Sequence, residues 1–248
     1  MLRLLGLLYG VFCYLVFLGA FLYSIWFLWT FDSLQPAASV SRALLIDGGL
    51  LALFALQHSG MARQSFKRAW TRLIPRPLER STYVLFSSLA LLAIIVFWQP
   101  LPGVIWNLGP GIGRTVLNIL FWAAWLNLLV STFLIDHFEL FGIKQVWMYY
   151  RGLPFQPPAF QTPLTYKVVR HPIYLSFLAA FWSAPRMTPG HLFFSVMCTG
   201  FILVGIWLEE RDLIRFHGER YVVYRNQVPM LIPRPTIKNV ESSPLTEE

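Results

Sequence analysis

The run Leu4-Leu-Gly-Leu-Leu-Tyr-Gly10-Val-Phe-Cys13-Tyr-Leu-Val-Phe-Leu-Gly-Ala20-Phe-Leu-Tyr-Ser-Ile-Trp-Phe-Leu-Trp-Thr30-Phe31 carries no charged residue. About 20 mostly apolar residues in a helix cross a hydrocarbon core of roughly 30 Å. The run is longer than that, and far longer than the roughly 7–15-residue apolar core of a cleaved signal peptide. It predicts a first membrane-spanning helix retained in the mature chain. The rest of the sequence agrees: of 248 residues 56% are hydrophobic and 13% charged, against about 25% charged in a soluble domain. Such a chain cannot cover a water-facing surface.

The same rule marks six apolar segments, at Leu4 to Thr30, Ala43 to His58, Ser81 to Phe97, Thr115 to Ile135, Pro172 to Ala184 and His191 to Leu208. The fifth is short and ends at Pro185, so five to six transmembrane helices are expected in an all-α polytopic bundle. Lys and Arg accumulate in cytoplasmic loops. Here the second loop holds Arg63, Lys67, Arg68, Arg72, Arg76 and Arg80, and the fourth holds Lys144, Arg151, Lys167 and Arg170. Arg42, Arg114 and Arg186 stand alone in the other three. Both termini are therefore expected on the cytoplasmic side, with Trp98 and Trp106 in an aromatic belt at the other. After Leu208 a charged stretch opens with Glu209-Glu210-Arg211-Asp212 and reads as a cytoplasmic helical extension of the sixth segment. Residues 1–235 form one domain, and the polar residues 236–248 read as a disordered tail. The net charge of +8 suits anionic phospholipid headgroups. No nucleic-acid-binding motif occurs.

Polar residues gather where two consecutive segments meet the basic side. Tyr166 to Arg170, His171, Pro172 and Tyr174 precede or open the fifth segment; Glu209 and Glu210 close the sixth, followed by Phe216-His-Gly218-Glu-Arg-Tyr221-Val-Val-Tyr224. An antiparallel hairpin brings His171 and Glu209 together at one membrane face. Cation, imidazole, carboxylates and phenols so placed suit a zwitterionic amino-acid group and ribose hydroxyls, and aromatic faces suit a sulfonium cation. Read singly, these residues are also ordinary interfacial charges, with His171-Pro172 simply starting a helix.

As an ordered set, Arg-His-Pro-x-Tyr, the Glu-Glu pair and Phe-x-Gly-x-x-Tyr-x-x-Tyr resemble the C-terminal signature of the isoprenylcysteine carboxyl methyltransferases and related phospholipid methyltransferases. These are integral membrane enzymes that use S-adenosylmethionine. The resemblance covers about residues 160–233, within a cofactor-binding part of about 155–233. It implies cofactor contacts at Phe160, Gln161, Tyr166, Arg170, His171, Pro172, Tyr174, Glu209 and Glu210. The isoprenylcysteine enzymes carry an Arg a few residues before the Glu cluster for the substrate carboxylate, whereas Cys198 to Leu208 contain no basic residue.

The N-terminal half resembles something narrower. Gln57-His58-Ser59-Gly-Met61-Ala-Arg63, Phe66-Lys67, Glu79-Arg80-Ser-Thr-Tyr83 and Asp136-His137-Phe-Glu139-Leu-Phe-Gly142 look like the NnrU-type branch, and most closely the methanethiol S-methyltransferases. That resemblance implies methyl transfer from S-adenosylmethionine to a small thiol, releasing dimethyl sulfide, in a bacterial inner membrane. A small apolar acceptor fits a site without a carboxylate clamp. Since the thiolate is the nucleophile, a base or cation is needed: His58, Glu79 and Arg80 are the catalytic candidates, and Tyr83 and His137 the substrate-binding ones. Other acceptors (a prenylcysteine, a phospholipid amine, hydrogen sulfide) and a non-catalytic role in nitrogen-oxide metabolism are the alternatives.

Asp136, His137 and Glu139 lack a distant fourth ligand, so no metal is expected. Asp47, inside the second segment, is expected to pair with Arg42 by snorkelling. Gly109-Pro-Gly111-Ile-Gly113 has no strand before it and reads as a loop break rather than a nucleotide-binding turn. Cys13 and Cys198 lie in apolar stretches and read as packing residues.

Overall fold

A computed structural model describes residues 1–34, 39–156 and 160–233; the tail expected at 236–248 lies outside the described residues. Five helices are long and apolar enough to cross a membrane. α1 (Leu2–Trp29) leads through a short turn to α2 (Val40–Ala62). Then α3 (Gln64–Trp70) precedes α4 (Glu79–Phe97), and α5 (Ile112–Ile135) returns. The short α6 (His137–Leu140) and α7 (Ile143–Arg151) follow, then α8 (Pro172–Trp182), the long α9 (Pro189–His217) and α10 (Glu219–Gln227). α9 and α10, separated at Gly218, are the helical extension that the charged stretch after Leu208 predicts.

α8 has 11 residues, about 17 Å at roughly 1.5 Å per residue, half of what a bilayer needs. Beyond α8 the chain turns at Ser183–Pro185 and enters a short strand. There Arg186–Met187 (β2) pairs antiparallel with Trp106–Asn107 (β1), Trp106 opposite Met187. Two residues do precede the glycine loop as a strand, but their partner is this ribbon and no nucleotide turn follows. Asn127 Nδ2 donates to Ser176 Oγ at 2.7 Å, fixing α8 against α5.

Two expectations for the membrane segments are corrected. Trp98 is 5% exposed: it packs against Phe27, Phe31 and Phe194 in the core rather than in a belt. Asp47, fully buried, accepts the Gln99 backbone N–H at 2.8 Å and forms no ion pair with Arg42. Five residues apart on one helix, Asp47 and Arg42 point to different faces, whereas the donor just beyond the end of α4 is within reach.

At the basic end α7 folds back onto α1. Its Val146 fills the space at Gly10, where a Cβ would stand 2.5 Å from a Val146 methyl, the close approach that small residues permit between membrane helices. The turn between α6 and α7 is fastened to α4: Gly142 has φ +89°, and a Cβ there would meet the Ser81 backbone nitrogen at 2.7 Å. Arg80 Nε donates to the Leu140 carbonyl at 2.7 Å. Gly142→Ala is expected to destabilise the protein by at least about 1–2 kcal/mol from backbone conformation alone, before the clash. Thermal unfolding in detergent checks this, and a wild-type midpoint would contradict it.

Candidate active site at the basic end

The predicted residues fall into two groups, one built on α8, α9 and the chain flanking them, the other on α2 and α4. In the first, proline opens α8 because its fixed φ and missing N–H suit the first helical turn. The residues before it are tied down by the C-terminal segment. The N–H groups of Arg170 and His171 donate to the carbonyls of Pro229 and Met230, at 2.9 and 3.2 Å. Arg170 Nε and Nη2 both reach Glu210 Oε1 at 2.8 Å, and its Nη1 donates to the carbonyls of Arg225 and Val228. His171 Nε2 stands 3.1 Å from the same Glu210 oxygen. Arg170 and Glu210 are thus committed to each other, joining the start of α8, the last turns of α9 and the segment that follows α10.

Glu209 points elsewhere, since adjacent helical residues diverge by about 100°, and it belongs to none of the described ion pairs. Its charge is felt at the phenols of Tyr166, Tyr174 and Tyr221. Burial, with Glu209 nearby, holds Tyr166 above the ordinary tyrosine value. Burial together with Glu210 does the same for Tyr221, and burial pushes Tyr224 up to about 12. All three remain O–H donors at neutral pH. Tyr224 donates to the Tyr166 carbonyl at 2.6 Å. The Tyr221 hydroxyl, on a side chain 1% exposed, has no partner among the described residues. Phe160 packs on His217, Tyr221 and Tyr224; Gln161 is exposed.

In the second group, Tyr83 Oη lies 2.9 and 3.1 Å from the two ring nitrogens of His58, and Ser87 Oγ is 3.2 Å from Nδ1. The imidazole stacks on Phe54, with Phe201 edge-on. Arg80 covers the Tyr83 ring at 5.3 Å. Glu79 stands near Lys67, whose ammonium is held below the ordinary lysine value by burial, against the pull of Glu79 and with a push from Arg80. His137 is farther back: its ring nitrogens meet Tyr14 Oη and Thr132 Oγ1, both at 2.9 Å, and the ring stacks on Phe133. Asp136 pairs with Lys144 instead of joining it. Among the described residues no group of three His, Cys, Asp or Glu converges as metal ligands would.

The groups meet across α9. Phe201, Gly205 and Glu209 recur every four residues on one face. Phe201 touches His58, and the Tyr174 hydroxyl lies over Gly205. Arg63, at the end of α2, pairs with Asp212 of α9 at 3.3 Å and closes the far side. Phe54, Ser87 and Phe201 were not among the sequence candidates, and only their helical spacing from His58, Tyr83 and Glu209 could have marked them; Lys67 stood in the Phe66-Lys67 motif without a role assigned to it.

Fold and site define an all-helical polytopic membrane protein with a polar site at its basic end. The chain belongs to the methanethiol S-methyltransferase family. It is 51% identical to the methanethiol S-methyltransferase of Crocosphaera subtropica over 92% of this chain and 91% of that protein. To that of Mycobacterium tuberculosis it is 48% identical, over 94% and 98%. A more distant relative, Nurim of Xenopus laevis, is 34% identical over 67% of this chain and 61% of its own length. No protein-family model and no solved structure matches the chain.

Burial lowers the His137 imidazole from its ordinary 6.5. A depressed folded-state value means that its contribution to stability is complete above about 6.5 and declines as pH falls from there through the lowered value. The unfolding midpoint in detergent is expected to drop between about pH 7.5 and pH 5, with a shallower drop for His137→Gln. Equal slopes in variant and wild type would remove His137 as the cause.

Proposed function

We propose that the protein transfers a methyl group from S-adenosylmethionine to methanethiol, releasing dimethyl sulfide, and that its basic end faces the cytoplasm of a bacterial inner membrane. The observation carrying this reading is the face of α9 on which Phe201 meets His58, Gly205 meets the Tyr174 hydroxyl and Glu209 follows one turn later, so that one helix borders both groups. A donor held by the first group would thereby face an acceptor held by the second. The names of the relatives support the acceptor and the reaction.

The residues suit this cofactor. Glu209 is a carboxylate outside any described ion pair, and the buried Tyr221 hydroxyl lacks a partner among the described residues. Phe160, Tyr166 and Tyr174 provide aromatic faces, which attract a sulfonium cation. Arg170, His171, Pro172 and Glu210 frame that region through their mutual contacts, and Gln161 borders it. When bound, S-adenosylmethionine supplies a methyl group already activated on sulfur and leaves as S-adenosylhomocysteine.

The remaining task is to make a thiolate and exclude water. His58 takes the proton of the thiol on a ring nitrogen, while Tyr83 and Ser87 fix the ring. Arg80 supplies positive charge that favours the anion, and its bond to the Leu140 carbonyl holds it in place. Glu79 balances the Arg80 and Lys67 charges. Phe54 and Phe201 line the space beside His58 and favour a small apolar acceptor. His137 braces this wall from behind through Phe141.

Purified full-length protein, given cofactor and methanethiol, should release dimethyl sulfide into the headspace; none released would refute the proposal. His58→Ala should lower kcat by about a hundredfold or more without weakening the cofactor. Raising the pH should restore much of the loss, because the free thiol then ionises by itself. A pH-independent loss would make His58 structural. Glu209→Gln should weaken cofactor binding about tenfold or more, read by calorimetry, and unchanged affinity would place the cofactor elsewhere.

A further inference from the structure

At the end of the bundle opposite the proposed active site lies a cavity of about 230 Å³, whose wall includes Asp32, Arg114, Asn118, Ser183 and Arg186. None of the described ion pairs involves Asp32, Arg114 or Arg186. Each guanidinium has one bond to a backbone carbonyl: Arg114 Nε to Leu108 at 3.0 Å, and Arg186 Nη1 to Asp32 at 3.3 Å. Arg186 Nε is buried without a partner among the described residues. A guanidinium carries five donors, and an unpaired charge in so apolar a protein is costly. His191, also in the wall, is already engaged: its Nε2 lies 2.9 Å from the Phe181 carbonyl and its ring stacks on Phe31.

The cavity adjoins the lipid-facing side of α5. Asn118 belongs both to its wall and to a shallow, open apolar groove along one face of α5, formed by Thr115, Ile119, Trp122 and Leu126. The groove runs about 17 Å along the helix, at roughly 1.5 Å per residue, which matches part of an acyl chain. Trp29, in the cavity wall, packs on Trp122 of the groove with ring centroids 5.4 Å apart, so the cavity and the groove share an aromatic wall. One amphiphile can occupy both: an anion beside two arginines, and a chain along the groove.

We propose that this is a binding site for an aminophospholipid of the adjoining leaflet. Its phosphate sits on Arg114 and Arg186, its ammonium on Asp32, and one acyl chain lies in the α5 groove. The carboxylate selects the headgroup: beside the phosphate, Asp32, outside the described ion pairs, attracts an ammonium and repels an anion, whereas an uncharged headgroup gains no ionic contact, and guanidinium suits phosphate oxygens.

The test is native mass spectrometry on delipidated full-length protein titrated with dioleoyl phosphatidylethanolamine or dioleoyl phosphatidylglycerol. Thermal shift with inorganic phosphate forms a third arm. One ethanolamine lipid per protomer, bound more tightly than the glycerol lipid, is expected. Arg114→Gln and Arg186→Gln should each weaken it about tenfold, the loss of a charge-assisted contact. Asp32→Asn should abolish the headgroup preference while keeping a lipid bound. Equal binding of the two lipids, no retained lipid, or a phosphate shift as large as that of the lipid would overturn the proposal. Should the arginine variants fail to fold, the wild-type preference and the Asp32→Asn comparison still decide.

Discussion

The bond between Arg170 and Glu210 organises the functional end of the molecule. Both side chains are nearly buried, at 11% and 13% exposure, and breaking one member of such a pair costs about 3–5 kcal/mol because the other is left buried and charged. Arg170 also holds two carbonyls of the C-terminal segment, while its own N–H and that of His171 pair with Pro229 and Met230. One guanidinium therefore ties together three pieces of chain remote in sequence. With the start of α8 and the end of α9 fixed, Glu209 is left half-buried on the neighbouring face, outside the described ion pairs.

The two halves of the site are built by different means. On the α8–α9 side polar bonds do the positioning. On the α2–α4 side packing does more: Phe54 and Phe201 confine His58, and the stacked Phe17–Phe141 pair, at 3.8 Å, carries the support of α1 and α6 toward Tyr83. Gly142 lets α6 and α7 approach α4 closely enough for the Leu140 carbonyl to hold Arg80. Such a division suits a reaction in which a charged donor must be oriented and an apolar acceptor enclosed. The opposite end, built on a short two-stranded ribbon and a core of Phe31, Trp98, Phe181 and Phe194, keeps Asp32, Arg114 and Arg186 outside the described ion pairs.

The membrane architecture was legible because length and hydropathy alone decide which segments span, and Pro185 announced the shortness of α8. Side-chain partnerships were less so. Arg170 and Glu210 were readable as belonging to one face but not as each other's partners, since one turn of helix decides whether Glu209 or Glu210 takes the arginine. His137 sits in a motif that the family resemblance marks, yet Tyr14, from a helix more than a hundred residues earlier, occupies one of its nitrogens. Trp98 carried an interfacial composition signal that says nothing about which way the ring turns. The ribbon between Trp106 and Met187 is too short to leave any periodicity.

The most direct test is a double-mutant cycle on Arg170 and Glu210, read as the calorimetric affinity for S-adenosylmethionine. If their bond sets the geometry of the pocket, Arg170→Gln and Glu210→Gln each weaken binding, and the double variant is little worse than either, with a coupling of at least about 1 kcal/mol. Losses that simply add, or affinities that stay at the wild-type value, would contradict it.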